Sequence, residues 1–263
     1  DIQASLELRP PGKGEASAFD RRQELIDRLN SLSLGVIYGL DGRNVTAQII
    51  LPDMVSHFDL RMIEFINDEQ VIPLRLITSA GLVAGHPQIG DSFLRGYVDL
   101  DDLMASNDLG FQSAMLHFLT ERAVTPNYAR RIGSPSLDPG TPVGGRAFDR
   151  GHRAGHQAQL EHFRSVTGDY SLRLGGERLG ANGSFDLIFR SRDHNYRIFF
   201  SIQRAVRTAA NPNPRRETGI NVRVRYQGNF MSMDDFLDLG VVPGNPQDFR
   251  LRLPDAQSLG DGF

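Results

Sequence analysis

The period of the apolar residues changes along this chain, and this change limits the fold more than any other feature. In the middle of the chain, apolar side chains recur at helical spacing in two segments, at 108–124 and 149–166. A stretch dense in Pro, Gly and Ser lies between them at 133–145, and we expect it to be a loop. In the last third the period falls to two residues, because Ile220–Tyr226 alternates strictly and carries arginines on its outer face.

Further elements are predicted on both sides of the helical centre. Phe185–Arg190 and Tyr196–Ile202 flank a short polar turn, a pattern typical of a hairpin. The N-terminal part mixes both periods, with helices predicted at 20–32 and 57–66 and strands at 36–38, 45–51, 71–77 and 93–100. This order predicts an α+β fold with an N-terminal mixed α/β segment, two central helices and a C-terminal antiparallel sheet.

Glycine and proline predict where the domain begins. Residues 1–18 are rich in Pro, Gly, Ser and Ala, so we expect a flexible arm there. Residues 19–263 then form a single α+β domain. A subdivision near 175–184 is left open, because several glycines predict a turn-rich connection at that point.

The composition excludes several classes of site. The chain has no cysteine, so disulfides, thiolate metal sites and a cysteine nucleophile are ruled out. Any metal must therefore be bound by His, Asp, Glu, Asn or backbone oxygen. The net charge of −3 gives no overall attraction to nucleic acid or to an anionic membrane. No apolar run approaches the length of a membrane span.

Lysine is almost absent. Lys13 is the only lysine, so 28 of the 29 basic residues are arginine. A GC-rich genome explains this usage. The alternative explanation is selection against ubiquitin acceptors, as in toxins that enter eukaryotic cytosol, since lysine is the residue that is ubiquitinated.

Four of the seven histidines lie in the two helical segments, where their spacing predicts a metal site. His117 and Glu121 are four residues apart, as are His152 and His156, and residues four apart share one face of a helix. Two such pairs brought together supply enough ligands for a divalent metal. The competing interpretation is a core hydrogen bond between His117 and Glu121, without any metal.

The order strand, helix, loop, helix over residues 94–166 resembles the layout of the zincin metalloproteases, whose active helix carries His-Glu-x-x-His. His117 matches the first histidine of that motif, a phenylalanine stands at the general-base position, and Glu121 replaces the second histidine. The second segment has both histidines, His152 and His156, with arginine in place of the glutamate. Neither segment is thus a complete zincin motif.

The resemblance implies a zinc ion bound by His117, Glu121 and either His152 or His156, with water at the open position and Glu161 as a candidate base. It implies hydrolysis of a peptide bond in a protein substrate or host target. The stretch is also similar to bacterial secreted effectors and the cargo of injection systems. We therefore expect a protein made in the bacterial cytoplasm and then secreted or injected by such an apparatus, although the N-terminus has no signal-peptide pattern.

A second resemblance rests on Asp149-Arg150-Gly151-His152, which matches the Asp-Arg-Gly-His tetrapeptide of the non-specific endonucleases with a ββα-metal site. This resemblance implies that His152 is the general base, that Asn182 binds a magnesium ion and that Arg150 contacts phosphate of a nucleic-acid substrate. Arginine stands where the family has a later acidic residue, at position 190.

A third interpretation is non-catalytic, a binding or structural domain whose histidines are hydrogen-bonded in the core. The C-terminal third also has an arginine-rich region. Either a solvated sheet face or binding of phosphate, carboxylate or RNA accounts for it. Its members are Arg204, Arg207, Arg215, Arg216, Arg223 and Arg225.

Overall fold

Two β-sheets and six helices, two of them paired at the centre, make up the part of the chain that the computed structural model describes. The described ranges are 6–9, 21–69, 71–77, 97–124, 142–179, 185–202 and 220–245. Within them helices and strands alternate in the N-terminal part, two long helices follow, and an antiparallel sheet comes last, which confirms the predicted α+β fold with its mixed N-terminal segment, central helices and C-terminal antiparallel sheet.

The first sheet is mixed. It has five strands in the order β2-β3-β1-β4-β5, in which β1 runs parallel to β4 and β4 parallel to β5, while β3 is antiparallel to both β1 and β2. Gly42, with φ of +61°, makes the tight turn between β2 and β3. The strands are β1 Leu6–Arg9, β2 Val36–Asp41, β3 Asn44–Ile49, β4 Ile72–Ile77 and β5 Tyr97–Asp99.

Strand β1 corrects the prediction of a flexible arm for residues 6–9. These residues pair with β4 along their whole length, and Glu7 also pairs with Asn44 of β3. The rest of the predicted arm, at 1–5 and 10–18, lies outside the described residues.

Three of the described helices, α2, α4 and α6, begin at polar side-chain caps. Ser56 and Asp59 form a capping box at the start of α2, and the Asn107 side chain accepts a hydrogen bond from Gly110 N at the start of α4. None of the described helices has the length and apolar character needed to cross a membrane. The helices are α1 Arg22–Leu32, α2 His57–Asn67, α3 Leu100–Met104, α4 Asp108–Ala123, α5 Pro142–Thr167 and α6 Met233–Asp238.

Helix α5 begins earlier than predicted. Its first residues, Pro142 to Gly145, fall in the segment for which the sequence predicts a loop. Proline is compatible with the first turn of a helix, since the N–H that it lacks has no partner there, and helices tolerate glycine at a modest cost. The density of Pro and Gly therefore marks the start of a helix.

The second sheet is an antiparallel meander in the order β10-β9-β8-β7-β6. Strands β7 and β8 form the predicted hairpin, and the alternating segment forms β9. The strands are β6 Arg173–Leu179, β7 Phe185–Arg190, β8 Tyr196–Ile202, β9 Ile220–Tyr226 and β10 Asn229–Met231.

Strand β6 lies where the sequence predicts a turn-rich connection. Its two glycines form a bulge, because the register against β7 shifts between Leu174 and Gly176, and Gly176 has φ of +119°. The glycines thus re-aim the strand without ending it. Residues 180–184, the rest of the predicted connection, lie outside the described residues.

Helices α4 and α5 pack side by side and antiparallel. Gln112 contacts His162 near one end of the pair, and Glu121 contacts His152 near the other. Asn107 joins α4 to the second sheet, because its side chain accepts a hydrogen bond from Val222 N and donates one to Val222 O. One cluster of buried apolar side chains runs from Leu25 to Val242 and includes residues of both sheets and the helix pair.

Candidate metal centre

Three histidines converge between the central helices. His117 on α4 and His152 and His156 on α5 each offer one ring nitrogen, and these nitrogens lie within 4.8 Å of one another. The ring centres of His152 and His156 are 4.1 Å apart, as expected for two residues one helical turn apart. The antiparallel packing of the helices brings His117 onto this face, with its ring centre 5.2 Å from that of His152. This cluster can hold a metal ion.

Glu121 is the acidic centre of the cluster. Its side chain is only 2% exposed, and its Oε1 lies 3.2 Å from His117 Nε2 and 3.1 Å from His152 Nδ1. Burial by itself raises the pKa of this carboxyl group, but the two histidines outweigh that effect and lower its pKa to about 2. A buried negative charge therefore lies beside two imidazole rings at neutral pH.

The tautomer of His117 follows from its other neighbour. Gln159 Nε2 donates to Ser113 Oγ over 3.0 Å, which turns Gln159 Oε1 toward His117 Nδ1 at 3.1 Å. Because an amide oxygen only accepts, Nδ1 carries the hydrogen, as assigned from this network. In a neutral ring Nε2 is then bare and faces the Glu121 carboxylate, so two acceptors meet. A cation between them, either a proton on Nε2 or a metal ion, resolves the conflict.

Gly155 leaves room for the His117 ring between the two helices. A Cβ atom at this position would lie 2.7 Å from His117 Nδ1 and 2.9 Å from its Cγ. The absence of a side chain on this turn of α5 therefore allows the imidazole to rest against the helix backbone.

Glu177 is the component of the cluster that the sequence did not reveal. It lies on β6, with its Oε1 3.7 Å from both His152 Nε2 and His156 Nδ1. The bulge in β6 directs it there, because past the bulge Glu177 pairs with Leu187, whose side chain is buried on the inner face of the sheet. The only sequence signal is the glycine pair, which in a strand marks a bulge.

Access to the cluster differs between its two carboxylates. The Glu177 side chain is 47% exposed and that of His152 is 33% exposed, whereas Glu121 is closed off from solvent. His156 is also buried, and burial, followed by the charges of His117 and His152, lowers its pKa to about 3. The neutral imidazole that a metal requires is thus the favoured form of His156 at neutral pH.

The donor set suits a transition metal. Imidazole nitrogen and carboxylate oxygen are ligands of zinc and its neighbours, and tetrahedral zinc at 2.0–2.1 Å from each ligand requires ligand atoms about 3.3 Å apart. The distances from Glu121 Oε1 to His117 Nε2 and His152 Nδ1, 3.2 and 3.1 Å, already meet this requirement. The histidine nitrogens need a small inward movement of their side chains.

Other residues predicted for the site lie elsewhere. Glu161, the predicted base, is exposed on α5 and accepts a hydrogen bond from Gln157, so the structure does not bring it to the cluster. Arg150 is exposed near the start of the same helix, and Asn182 lies outside the described residues. His152, the general base of the nuclease resemblance, lies inside α5.

The core hydrogen bond expected in the non-catalytic interpretation is also present, since His117 and Glu121 are in contact. That interpretation accounts for one histidine. It does not explain why His152, His156 and a second carboxylate from another element meet at the same point. Comparisons of the chain with protein-family models, with curated proteins and with solved structures find no match.

Proposed function

We propose that this protein is a metal-dependent hydrolase whose zinc-type ion is bound by three ligands drawn from His117, Glu121, His152 and His156, which leaves one position for water. The observation that supports it is the meeting of three histidines from two helices, whose ring nitrogens lie within 4.8 Å of one another, with the buried Glu121 carboxylate 3.2 Å from His117 and 3.1 Å from His152. Buried ionisable side chains that lie close together are typical of functional sites.

Each residue of the cluster has a distinct task in this proposal. The buried carboxylate of Glu121 offsets the charge of the ion, and a metal bound to His117 Nε2 would also contact Glu121 Oε1 across their 3.2 Å separation. Gln159 holds His117 in the tautomer that directs Nε2 toward the ion. Such supporting hydrogen bonds fix the orientation of a metal-bound imidazole.

Glu177 is the general base in this proposal. A zinc ion held by these residues would lower the pKa of a bound water to about 7. Glu177 Oε1 lies on the solvent-exposed side of the cluster, 3.7 Å from His152 Nε2 and from His156 Nδ1. A half-exposed carboxylate at this point can take a proton from the attacking water and pass it to the leaving group. Glu177 thereby replaces Glu161 as the candidate base.

The substrate class follows from the zincin resemblance, which favours the peptide bond of a protein. The assignment to a secreted bacterial effector, with a host target and an injection apparatus, is supported by the depletion of lysine alone. The nuclease with a magnesium ion stays a prediction that no observation of the fold favours.

The test is zinc content and hydrolysis of a labelled unfolded protein by the wild-type chain and the Glu177→Gln variant. We expect near-stoichiometric zinc in both proteins, activity that a chelator removes, and a loss of about 100-fold or more in kcat in the variant. Glu161→Gln is the matched control, because it makes the same change on the exposed face of α5, and it should retain full activity.

Zinc bound without any hydrolysis of protein would refute the hydrolase and leave a metal-binding domain. Wild-type protein without zinc, together with a melting temperature that neither zinc nor a chelator alters, would refute the metal site itself. Equal activity in Glu177→Gln and wild type would remove Glu177 from the mechanism.

A further inference from the structure

Four arginines stand in one row across the second sheet. Arg173 is opposite Arg190, Arg190 is opposite Arg197, and Arg197 is opposite Arg225. Directly opposed residues of antiparallel strands point to the same side of the sheet, and all four are exposed. The row therefore crosses strands β6, β7, β8 and β9 on the outer face. With strands about 4.8 Å apart, it extends over roughly 14 Å.

The row is not neutralised from within the described part of the chain. Arg173 donates to the backbone oxygens of Tyr170 and Leu172, but Arg190, Arg197 and Arg225 form no ion pair with a carboxylate among the described residues. The one buried carboxylate farther along this face, Asp186, is already paired with Arg178 at 2.7 Å. Like charges directly opposite one another destabilise a sheet. Stability therefore does not explain the row.

An aromatic residue on β10 lies at the end of the arginine row. Phe230 is opposite Arg225 and is 46% exposed. The guanidinium carbon of Arg225 lies 5.7 Å from the centre of its ring, and that of Arg223, in the next row, lies 4.8 Å from it. Phe230 in turn packs edge-on against Phe199. Guanidinium groups held against an aromatic ring lose less freedom when they bind an anion.

We propose that this outer face, made of Arg190, Arg197, Arg223, Arg225 and Phe230, binds single-stranded nucleic acid through its phosphates. Guanidinium groups form paired hydrogen bonds to phosphate oxygens, and a row at regular spacing matches a polymer with one charge in each repeat. Phe230 offers the edge of an aromatic platform beside that row.

The shape of the face favours a single strand over a duplex. The major groove of DNA is about 12 Å wide and admits a helix or a two-stranded ribbon. A five-stranded sheet is wider than that groove, because its strands extend over roughly 19 Å, but an unpaired strand can lie along the exposed row at one end of the sheet. The overall charge of −3 does not oppose this binding, since the positive charge is concentrated on one surface.

This surface is separate from the metal centre. The metal cluster meets the sheet through Glu177, whose neighbour in register, Leu187, is on the inner face. The arginine row lies on the opposite face of the same sheet. Binding at the row can therefore be measured while a chelator keeps the metal centre empty, so its failure and the failure of the hydrolase are distinguished.

The test is fluorescence anisotropy of a labelled oligothymidine of about 20 nucleotides, titrated with the full chain in EDTA at about 50 mM salt. We expect a dissociation constant in the micromolar range for wild type and at least 10-fold weaker binding for R197T/R225T. The slope of log affinity against log salt should fall by about 1.4, since each lost contact to single-stranded phosphate removes about 0.7.

The control variant is R43T/R153A, which removes the same charge from exposed positions outside the row and should change affinity less than 2-fold. Thermal melting monitors folding, and R197T/R225T should melt no lower than wild type because it removes opposed like charges. An equal loss of affinity in both double variants would show that binding depends only on overall charge, and this would overturn the proposal. An absence of wild-type binding, or tighter binding of polyglutamate than of oligothymidine, would overturn it as well, and the latter would indicate an acidic protein partner.

Discussion

The ring of His117 rests directly on Gly155, at a point where any Cβ atom would lie 2.7 Å from His117 Nδ1. One residue is on α4 and the other is on α5, so this contact sets how closely the two helices approach at the metal cluster. The ring cannot easily move away from the glycine, because Gln159 Oε1 holds the same nitrogen at 3.1 Å.

Gly155→Ala should therefore lower stability, although alanine is the better helix former. The helix itself gains about 1 kcal/mol from the change, whereas overpacking of a tight core contact costs about 1–3 kcal/mol. We expect a net loss of about 1 kcal/mol in urea unfolding and a zinc affinity at least 10-fold weaker. Arg153→Ala, on an exposed turn of the same helix, is the control. A more stable Gly155→Ala protein would show that His117 is not confined by this contact.

Glu121→Gln tests the charge at the centre of the cluster. The amide keeps the size of the side chain but removes the buried negative charge that faces His117 and His152. We expect zinc affinity to fall at least 100-fold, measured by competition with a chelator of known affinity. Glu161→Gln makes the same chemical change in solvent and should leave zinc affinity unaltered. Equal affinities in these two variants would exclude Glu121 from the ligand set.

A second buried histidine predicts a pH dependence of stability. His162 is fully buried, its Nε2 lies 3.1 Å from Gln112 Oε1, its Nδ1 has no hydrogen-bond partner among the described residues, and its ring stacks on that of His57. Burial, followed by the charge of His57, lowers the pKa of His162 to about 3. The folded protein thus keeps this ring neutral under mildly acidic conditions.

The direction of this pH dependence follows from the unfolded chain, in which a histidine has a pKa of about 6.5. Above that pH the ring is neutral in both states. As the pH falls from 6.5 toward 3, the unfolded chain takes up a proton that the folded chain does not, so stability decreases by up to about 1.4 kcal/mol per pH unit. In urea titrations, His162→Gln should lose about 2 kcal/mol less than wild type between pH 6.5 and 5. His194→Gln, at a hairpin turn, should follow wild type, and parallel curves for all three proteins would contradict the prediction.

Asn107 connects the helix pair to the second sheet, and its substitution tests how much this connection stabilises the protein. Asn107→Ala removes the cap of α4 and leaves both backbone polar groups of the buried Val222 without their partner. We expect a loss of about 2–4 kcal/mol in the free energy of unfolding. Ser232→Ala removes a comparable cap from the exposed start of α6 and should cost about 1 kcal/mol. Similar losses in the two variants would show that Asn107 acts as an ordinary cap.

Much of the secondary structure and the choice of ligand candidates follow from local spacing along the chain. Apolar residues at helical intervals predict α2 and α4 to within a residue, and strict alternation predicts β9. The four ligand candidates come from the same source. A separation of four residues places His117 beside Glu121, and His152 beside His156, in any α-helix.

How those two pairs meet, and which residue completes the cluster, depends on the packing between elements. Helix packing brings His117 close to His152, because Gly155 on α5 leaves room for the His117 ring. The bulge in β6, at glycines for which the sequence predicts a turn, places Glu177 beside the cluster. Glu161, on the outer side of α5, is exposed to solvent. Spacing along one element is set by backbone geometry, whereas contacts between elements depend on register and packing that no single segment encodes.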